Sequence, residues 1–323
     1  MSKVTIVITA HNRKKYLPYA INSIFSTPSA KAIEDIEIII VKNFKDNNID
    51  SWLDLHNVKN IVTSEESLAQ KQAIGISNAH GDLIAFLEDD DMFALNKIYV
   101  LRKLLNYSDL DFFHNLFMPI KETTYESQIV PFNDYDVEFF HVGNLRNNKI
   151  LKYIIKTYHP EMYNSCTTIS KDLAMKCTDG LKKVDINTER FWFLCALEKG
   201  RRIALTKSPL TLYRVHEQSF SQHNSKLFNT RLLERYIRSY TSMLEYFQKE
   251  TVRRIIEEQY KLHLAHYLIY DKGNRIRKLK LALSLLSGSL KPSTIYNEYS
   301  LLSAISLLSS LVSTSLAKRI LYR

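Results

Sequence analysis

Residues 67–91 read SLAQKQAIGISNAHGDLIAFLEDDD, and the parsing of this stretch decides the fold. Leu68, Ala69, Ala73 and Ile76 recur at helical spacing, which predicts a helix over residues 68–79. The run DLIAFL at 82–87 is short and apolar, the pattern of a buried strand. It delivers four consecutive carboxylates, Glu88, Asp89, Asp90 and Asp91. Carboxylates about 6 Å apart repel by roughly 3 kcal/mol at an effective dielectric of about 20, so this run needs full exposure or a compensating cation. Exposure, with one aspartate capping a helix that starts near Ala94, is one solution. A divalent cation is the other, since a rigid strand end carrying hard oxygen ligands suits magnesium or manganese.

The pattern repeats on both sides of this stretch. Residues 4–9 (VTIVIT), 36–41 (IEIIIV) and 60–63 (NIVT) are further buried-strand runs, and residues 15–25 place Leu17, Ala20, Ile21, Ile24 and Phe25 on one helical face. Alternation of strands and helices predicts an α/β fold with a mostly parallel sheet flanked by helices. In such sheets ligands bind beyond the carboxyl ends of the strands. Thr9, His11, Asn12 and Arg13 follow the first strand, Lys42 and Asn43 the second, and the acidic run the fourth. Residues 121–158 show weak periodicity and read as a long excursion that shapes a substrate cleft. Regular structure resumes at 165–170, with a helix around 190–197 and strands at 203–206 and 210–215.

Composition bounds the rest. The 323 residues are 45% hydrophobic, enough for a sizeable core, and SKVTIVITAHNRKK reads as a first strand rather than a secretion signal, which points to a cytoplasmic protein. Cys166, Cys177 and Cys195 are odd in number and lack CxxC spacing, so they read as reduced thiols. The net charge of +10 is uneven: residues 1–224 hold 27 Lys and Arg against 27 Asp and Glu, and residues 225–323 hold 17 against 7.

Four segments together carry a family resemblance. VTIVITAHNRKKYLPYAINSI, SLAQKQAIGISNAHGDLIAFLEDDD, TERFWFLCALEKG and YRVHEQSFS resemble, in order and spacing, the signature segments of family 2 glycosyltransferases, which have the GT-A, Rossmann-like fold. The resemblance spans roughly the first 220 residues. It implies an inverting, metal-dependent enzyme that moves a sugar from a nucleotide-diphosphate donor to an acceptor hydroxyl, with Mg²⁺ or Mn²⁺ as cofactor. It makes Asp90 the metal ligand, with Asp91 and His216 as further ligands, Glu88 behind them, and Asp89 on the donor ribose. Glu189 takes the position of the general base, with Asp185 as the alternative. Thr9, His11, Arg13, Asn43 and Lys71 complete the expected donor site, and Arg214 is a second phosphate partner.

Two departures stand out. Where the family usually has two aspartates after the second strand, this chain has Lys42 and Asn43, and Lys42 becomes a phosphate partner. The family's usual Ala-Arg-Asn on the next helix is replaced around Lys71, Gln72 and Ala73. A nucleotidyltransferase releasing pyrophosphate, or a non-catalytic GT-A scaffold, therefore stays open.

The expected organisation is a catalytic domain over 1–224, with a nucleotide-sugar half at about 1–118 and an acceptor half at about 119–224, followed by a helical, basic region over 225–323. Within the latter, residues 299–317 carry no charge. As one helix they put Leu301, Leu302, Ile305, Leu308, Val312 and Leu316 on one face and Ser303, Ser306, Ser310 and Ser313 on another. A helix lying in the membrane interface accounts for this better than a span, and a homodimer contact is the competing use. The uncharged serine and leucine faces argue against nucleic acid. The expected setting is the inner membrane face, with a glycan or lipid-linked acceptor.

Overall fold

The computed structural model describes residues 3–28, 36–216, 230–270 and 275–321. Among the described residues nine strands form one sheet: β1 (Val4–Ala10), β2 (Ile36–Lys42), β3 (Lys59–Val62), β4 (Leu83–Glu88), β5 (Met92–Phe93), β6 (Leu110–Lys121), β7 (Val137–His141), β8 (Thr167–Ser170) and β9 (Arg202–Val215). The order is β3-β2-β1-β4-β8-β6-β9-β5, with β7 also paired to β9. The first four strands are parallel, and β5, β7 and β8 run against the others. Six of these nine strands run one way, four of the eight pairings are parallel, and the fold is α/β as the alternation predicts.

Period-two alternation covers both faces of the sheet. Val7, Ile39, Val41 and Phe86 point into one apolar cluster, and Ile6, Ile8, Ile38, Ile40 and Leu87 into the other. The helix Leu68–Asn78 packs so closely on β1 that a Cβ at Gly75 would fall 2.3 Å from Val7 Cγ1. From β1 the chain moves outward to β2 and β3, then returns to β4 on the other side of β1. The carboxyl ends of β1 and β4 therefore flank a topological switch point, where open α/β sheets bind their ligands.

Three expectations change. The excursion at 121–158 contains a strand, β7, and a helix, Asn148–Tyr158, whose Leu151, Ile154, Ile155 and Tyr158 are buried. The strands expected at 203–206 and 210–215 are one strand, β9, which continues through Pro209 with a register shift against β6. The helix expected across 299–317 is two, Asn297–Ser309 and Thr314–Leu321.

The C-terminal helices Thr230–Tyr246, Glu250–Tyr270, Arg275–Ser289 and Asn297–Ser309 share a core with the helix Thr188–Lys199. Tyr240, Met243, Phe247, Ile255, Ala304 and Leu307 lie in the same cluster as Phe191 and Trp192. Boundary residue 224, and residues 217–221 of the YRVHEQSFS segment, lie outside the described residues. The three cysteines are free and buried.

Candidate active site

The loop after β1 is bent by Asn12, a residue type that tolerates its left-handed φ of 54°, and its N–H donates to Asn43 Oδ1 at 2.9 Å. This turn aims His11 and Arg13 at the end of β4. Arg13 Nη1 lies 2.5 Å from Asp90 Oδ2 and Nη2 lies 2.6 Å from Asp89 Oδ1, while the His11 N–H donates to Asp89 Oδ2 at 3.1 Å. His216 Nε2 reaches the same Asp90 Oδ2 at 3.1 Å. Asp91 accepts from Ser165 Oγ at 2.6 Å and from the Arg214 N–H at 3.1 Å. The acidic run is therefore folded inward, not left exposed.

Its electrostatics follow from that burial. Desolvation, then the charge of Asp90, pushes Asp89 up to about 7 and Asp91 up to about 8, and the same causes raise Glu88. Burial acts against ionisation of Asp90 as well, but the His216 hydrogen bond and the Arg13 charge outweigh it and hold this carboxyl below its ordinary range. Carboxylate oxygens of Glu88, Asp90 and Asp91 lie within 4.8 Å of one another. A crowded, mostly buried all-oxygen set in which Glu88 and Asp91 resist ionisation beside a charged Asp90 fits a hard divalent cation, with His216 next to it.

Asn164 joins this cluster to Glu189. Its Nδ2 donates to Glu88 Oε1 at 3.2 Å and to Glu189 Oε2 at 3.1 Å, while its Oδ1 accepts from Gln72 Nε2 at 3.0 Å and Thr188 Oγ1 at 2.8 Å. Glu189 stands in the first turn of the helix Thr188–Lys199, and burial raises its proton affinity. Asp185 is placed otherwise. Both of its oxygens are held, by Arg235 at 2.8 Å and Arg238 at 2.9 Å, and although burial opposes it these bonds keep its carboxyl low.

A cleft of about 550 Å³ is lined by Thr9, His11, Arg13, Lys71, Asp91 and Glu189. Tyr163, Tyr213, Arg235, Tyr236 and His263 also line it, so two C-terminal helices contribute to it. Lys71 Nζ sits 2.9 Å from His11 Nδ1, and burial lowers the proton affinity of both. Asn43 stands behind His11, donating to Glu66 Oε1 at 3.3 Å. Arg13 and His216 also border a smaller cavity of about 290 Å³ with Tyr16 and Glu122.

Two expected phosphate partners serve the fold. Lys42 is fully enclosed and bonded to Asp50 and to the Phe44 carbonyl, each at 2.7 Å. Arg214 is buried, with its guanidinium given to the backbone carbonyls of Asp90, Glu122 and Thr124. Asn164 and Tyr163 were not legible as site residues. Tyr163 has a φ of 62°, costly for a bulky side chain and a frequent mark of a functional turn.

The chain matches the description "Glycosyl transferase family 2" over residues 5–175, more than half its length, and belongs to that family. Curated relatives include uncharacterized glycosyltransferases of Rickettsia felis, 26% identical over 125 residues that cover 38% of this chain and 20% of the relative, and of Nostoc sp., 29% identical over 114 residues that cover 33% and 34%. The match thus spans a fifth to a third of these relatives' length. In architecture the chain is similar to S. aureus TarS 1–349 in complex with UDP-GlcNAc, at a TM-score of 0.58 and 12% identity over 99% of this chain and 90% of that one. It is also similar to the mannosyltransferase PcManGT of Pyrobaculum calidifontis in complex with GDP-Man and Mn2+, at 0.53 and 11% over 98% and 88%. The fold is GT-A.

Proposed function

We propose that this glycosyltransferase moves a sugar from a nucleotide-diphosphate donor to an acceptor hydroxyl with inversion at the anomeric carbon. The observation that carries the reading is Asn164, which ties Glu189 to Glu88 across one cleft. The site therefore has one carboxylate, hydrogen-bonded to Asn164, on the acceptor side and a carboxylate cluster on the donor side.

Glu189 takes the proton from the acceptor hydroxyl, and its raised proton affinity makes it a stronger base than an ordinary glutamate. The acceptor oxygen then bonds to the anomeric carbon as the bond to the diphosphate breaks on the opposite face. A single displacement of this kind inverts the centre. Glu88, Asp90 and Asp91, with His216, would hold a Mg²⁺ or Mn²⁺ ion, which supplies charge stabilisation for the departing diphosphate when bound. Thr9, His11, Arg13, Asn43 and Lys71 face or support the donor side, whereas Asp89, expected on the donor ribose, is fully buried with both oxygens holding the loop that carries His11 and Arg13. Asp185 is tied to two arginines and serves the acceptor wall. The tyrosines of that wall suit a glycan or a lipid-linked glycan, in a cytoplasmic enzyme acting at the inner membrane face.

The bound states of S. aureus TarS and PcManGT, with UDP-GlcNAc and with GDP-Man and Mn2+, support a nucleotide-sugar donor. The test is a thermal-unfolding screen of nucleotide sugars with and without Mn²⁺. A ligand at 100 times its dissociation constant adds about 2.7 kcal/mol of stability, a shift that is easily read. No shift with any donor would leave the scaffold reading in place.

A further inference from the structure

The last three helices bury one apolar side in the core, with Leu285, Ala304 and Leu307, and carry a second apolar set facing outward. In Asn297–Ser309 and the turn after it, Ser300, Ser303, Ser306 and Ser310 are buried, while Leu301, Leu302, Ile305 and Val312 are 40% to 88% exposed. The pattern extends to Leu316 in the helix Thr314–Leu321 and to Ile276, Leu279 and Leu283 in the helix Arg275–Ser289, which packs beside Asn297–Ser309. Small serines allow close helix approach, and Ser303 Oγ lies 3.3 Å from His266 Nε2 on the helix Glu250–Tyr270. Leucine gains nothing from facing water, so a surface with this many outward leucines, isoleucines and valines belongs against something apolar.

The charges identify the occupant. Residues 275–321 hold seven Lys and Arg against a single carboxylate, Glu298. Arg275, Arg277, Lys280, Lys318 and Arg319 are exposed on the same helices as the apolar side chains. A second copy of this surface would bring like charges together. An anionic bilayer instead takes the apolar side chains below its headgroups and pairs the cations with lipid phosphates. Among the described residues no helix is long and apolar enough to cross a membrane, so the contact lies in the interface.

We infer that the outward face of the helices Arg275–Ser289, Asn297–Ser309 and Thr314–Leu321 is a docking surface for a bilayer containing anionic lipid. It rests on the sugar-transfer reading only for its purpose, the holding of the cleft near a lipid-linked acceptor. The binding measurement uses neither donor nor metal, so the two readings fail separately. Deleting these helices is not a clean test, because Leu285, Ala304 and Leu307 belong to the core.

The experiment is co-sedimentation of the full chain with vesicles of phosphatidylcholine alone or with phosphatidylglycerol, at low and high salt. The chain pellets with the mixed vesicles, binds the neutral ones weakly, and is released only in part by salt, since burial of the leucines is not screened. Leu302→Asp with Ile305→Asp lowers the bound fraction by roughly tenfold at an unchanged melting temperature. Lys280→Glu with Arg319→Glu weakens binding to the anionic vesicles and reduces the salt response. A wild-type chain that stays in the supernatant with both vesicles overturns the inference. So does a dimer in light scattering that Leu302→Asp with Ile305→Asp dissolves, which assigns the face to a second copy.

Discussion

Arg13 bridges the two central carboxylates of the acidic run, with Nη1 2.5 Å from Asp90 Oδ2 and Nη2 2.6 Å from Asp89 Oδ1. It comes from the end of β1 and they come from the end of β4, so the contact closes the switch point of the sheet. Arg13 is the cation that lets a buried acidic run exist before any ligand arrives, and it competes for an oxygen that a divalent ion would use. Arg13→Gln should therefore tighten Mn²⁺ binding to the nucleotide-free protein by roughly three- to tenfold, about 0.7–1.4 kcal/mol, in a spin-resonance titration. The same variant should bind nucleoside diphosphate more weakly. Looser Mn²⁺ binding would mean that Arg13 builds the ion site rather than competing for it.

Glu189→Gln should lower kcat by roughly 10²- to 10⁴-fold and leave donor affinity within about twofold, because the amide keeps the shape and loses the proton acceptor. Asp185→Asn should act mainly on acceptor KM, through the freed Arg235 and Arg238. The reverse pattern would make Asp185 the base. The Glu189 carboxylate must be ionised to act, and its pKa is raised, so kcat/KM should climb with pH through a limb above the ordinary glutamate range.

Asn164→Ala should damage both stability and turnover. Gln72 Nε2 and Thr188 Oγ1 would lose their buried acceptor, a cost of about 1–3 kcal/mol in urea unfolding. Glu88 and Glu189 would lose the amide that spaces them, and kcat should fall more than KM changes. Wild-type turnover in this variant would reduce Asn164 to a packing residue.

Lys97 offers a test by pH. Its ammonium is fully enclosed, 2.6 Å from the Ser165 carbonyl, and burial pushes its pKa from 10.5 down to about 7. Between those values the unfolded chain binds more protons than the folded one, so this residue makes stability rise with pH from about 7 to about 10.5. Below about 7 both states are protonated and the cost of the buried charge is complete. Lys97→Met should flatten that rise, and urea midpoints at pH 7 and pH 9 should lie closer together than in the wild type. Equal spacing in both proteins would assign the rise to other groups.

The parts legible in the sequence are those in which one period dominates. The strands β1, β2 and β4 fall within a residue or so of their apolar runs, because they are buried over most of their length and the runs are uninterrupted, while β3, a short edge strand with exposed ends, is marked only by the pair Ile61 and Val62. The helix Asn148–Tyr158 was hidden by the irregular polar segments before it, although Leu151, Ile154, Ile155 and Tyr158 have helical spacing. Pro209 made β9 look like two strands, and the sheet absorbs it at a register shift. Lys42 looked like a phosphate group by position, but the charge that decides its place is Asp50, in the next helix. Asn164 had no signal, since a turn residue that gathers four partners from distant segments leaves no period to read.

The central claim is that this cleft breaks the bond between a sugar and a nucleoside diphosphate. The most direct measurement is phosphorus NMR of a donor found in the thermal screen, incubated with Mn²⁺ and either the wild-type chain or Asp90→Asn. The wild type should release nucleoside diphosphate, slowly to water and faster with a suitable acceptor, and Asp90→Asn should lose that activity while staying folded. Release of pyrophosphate from a nucleoside triphosphate and a sugar phosphate, with nucleotide sugars left intact, would contradict the account and identify a nucleotidyltransferase.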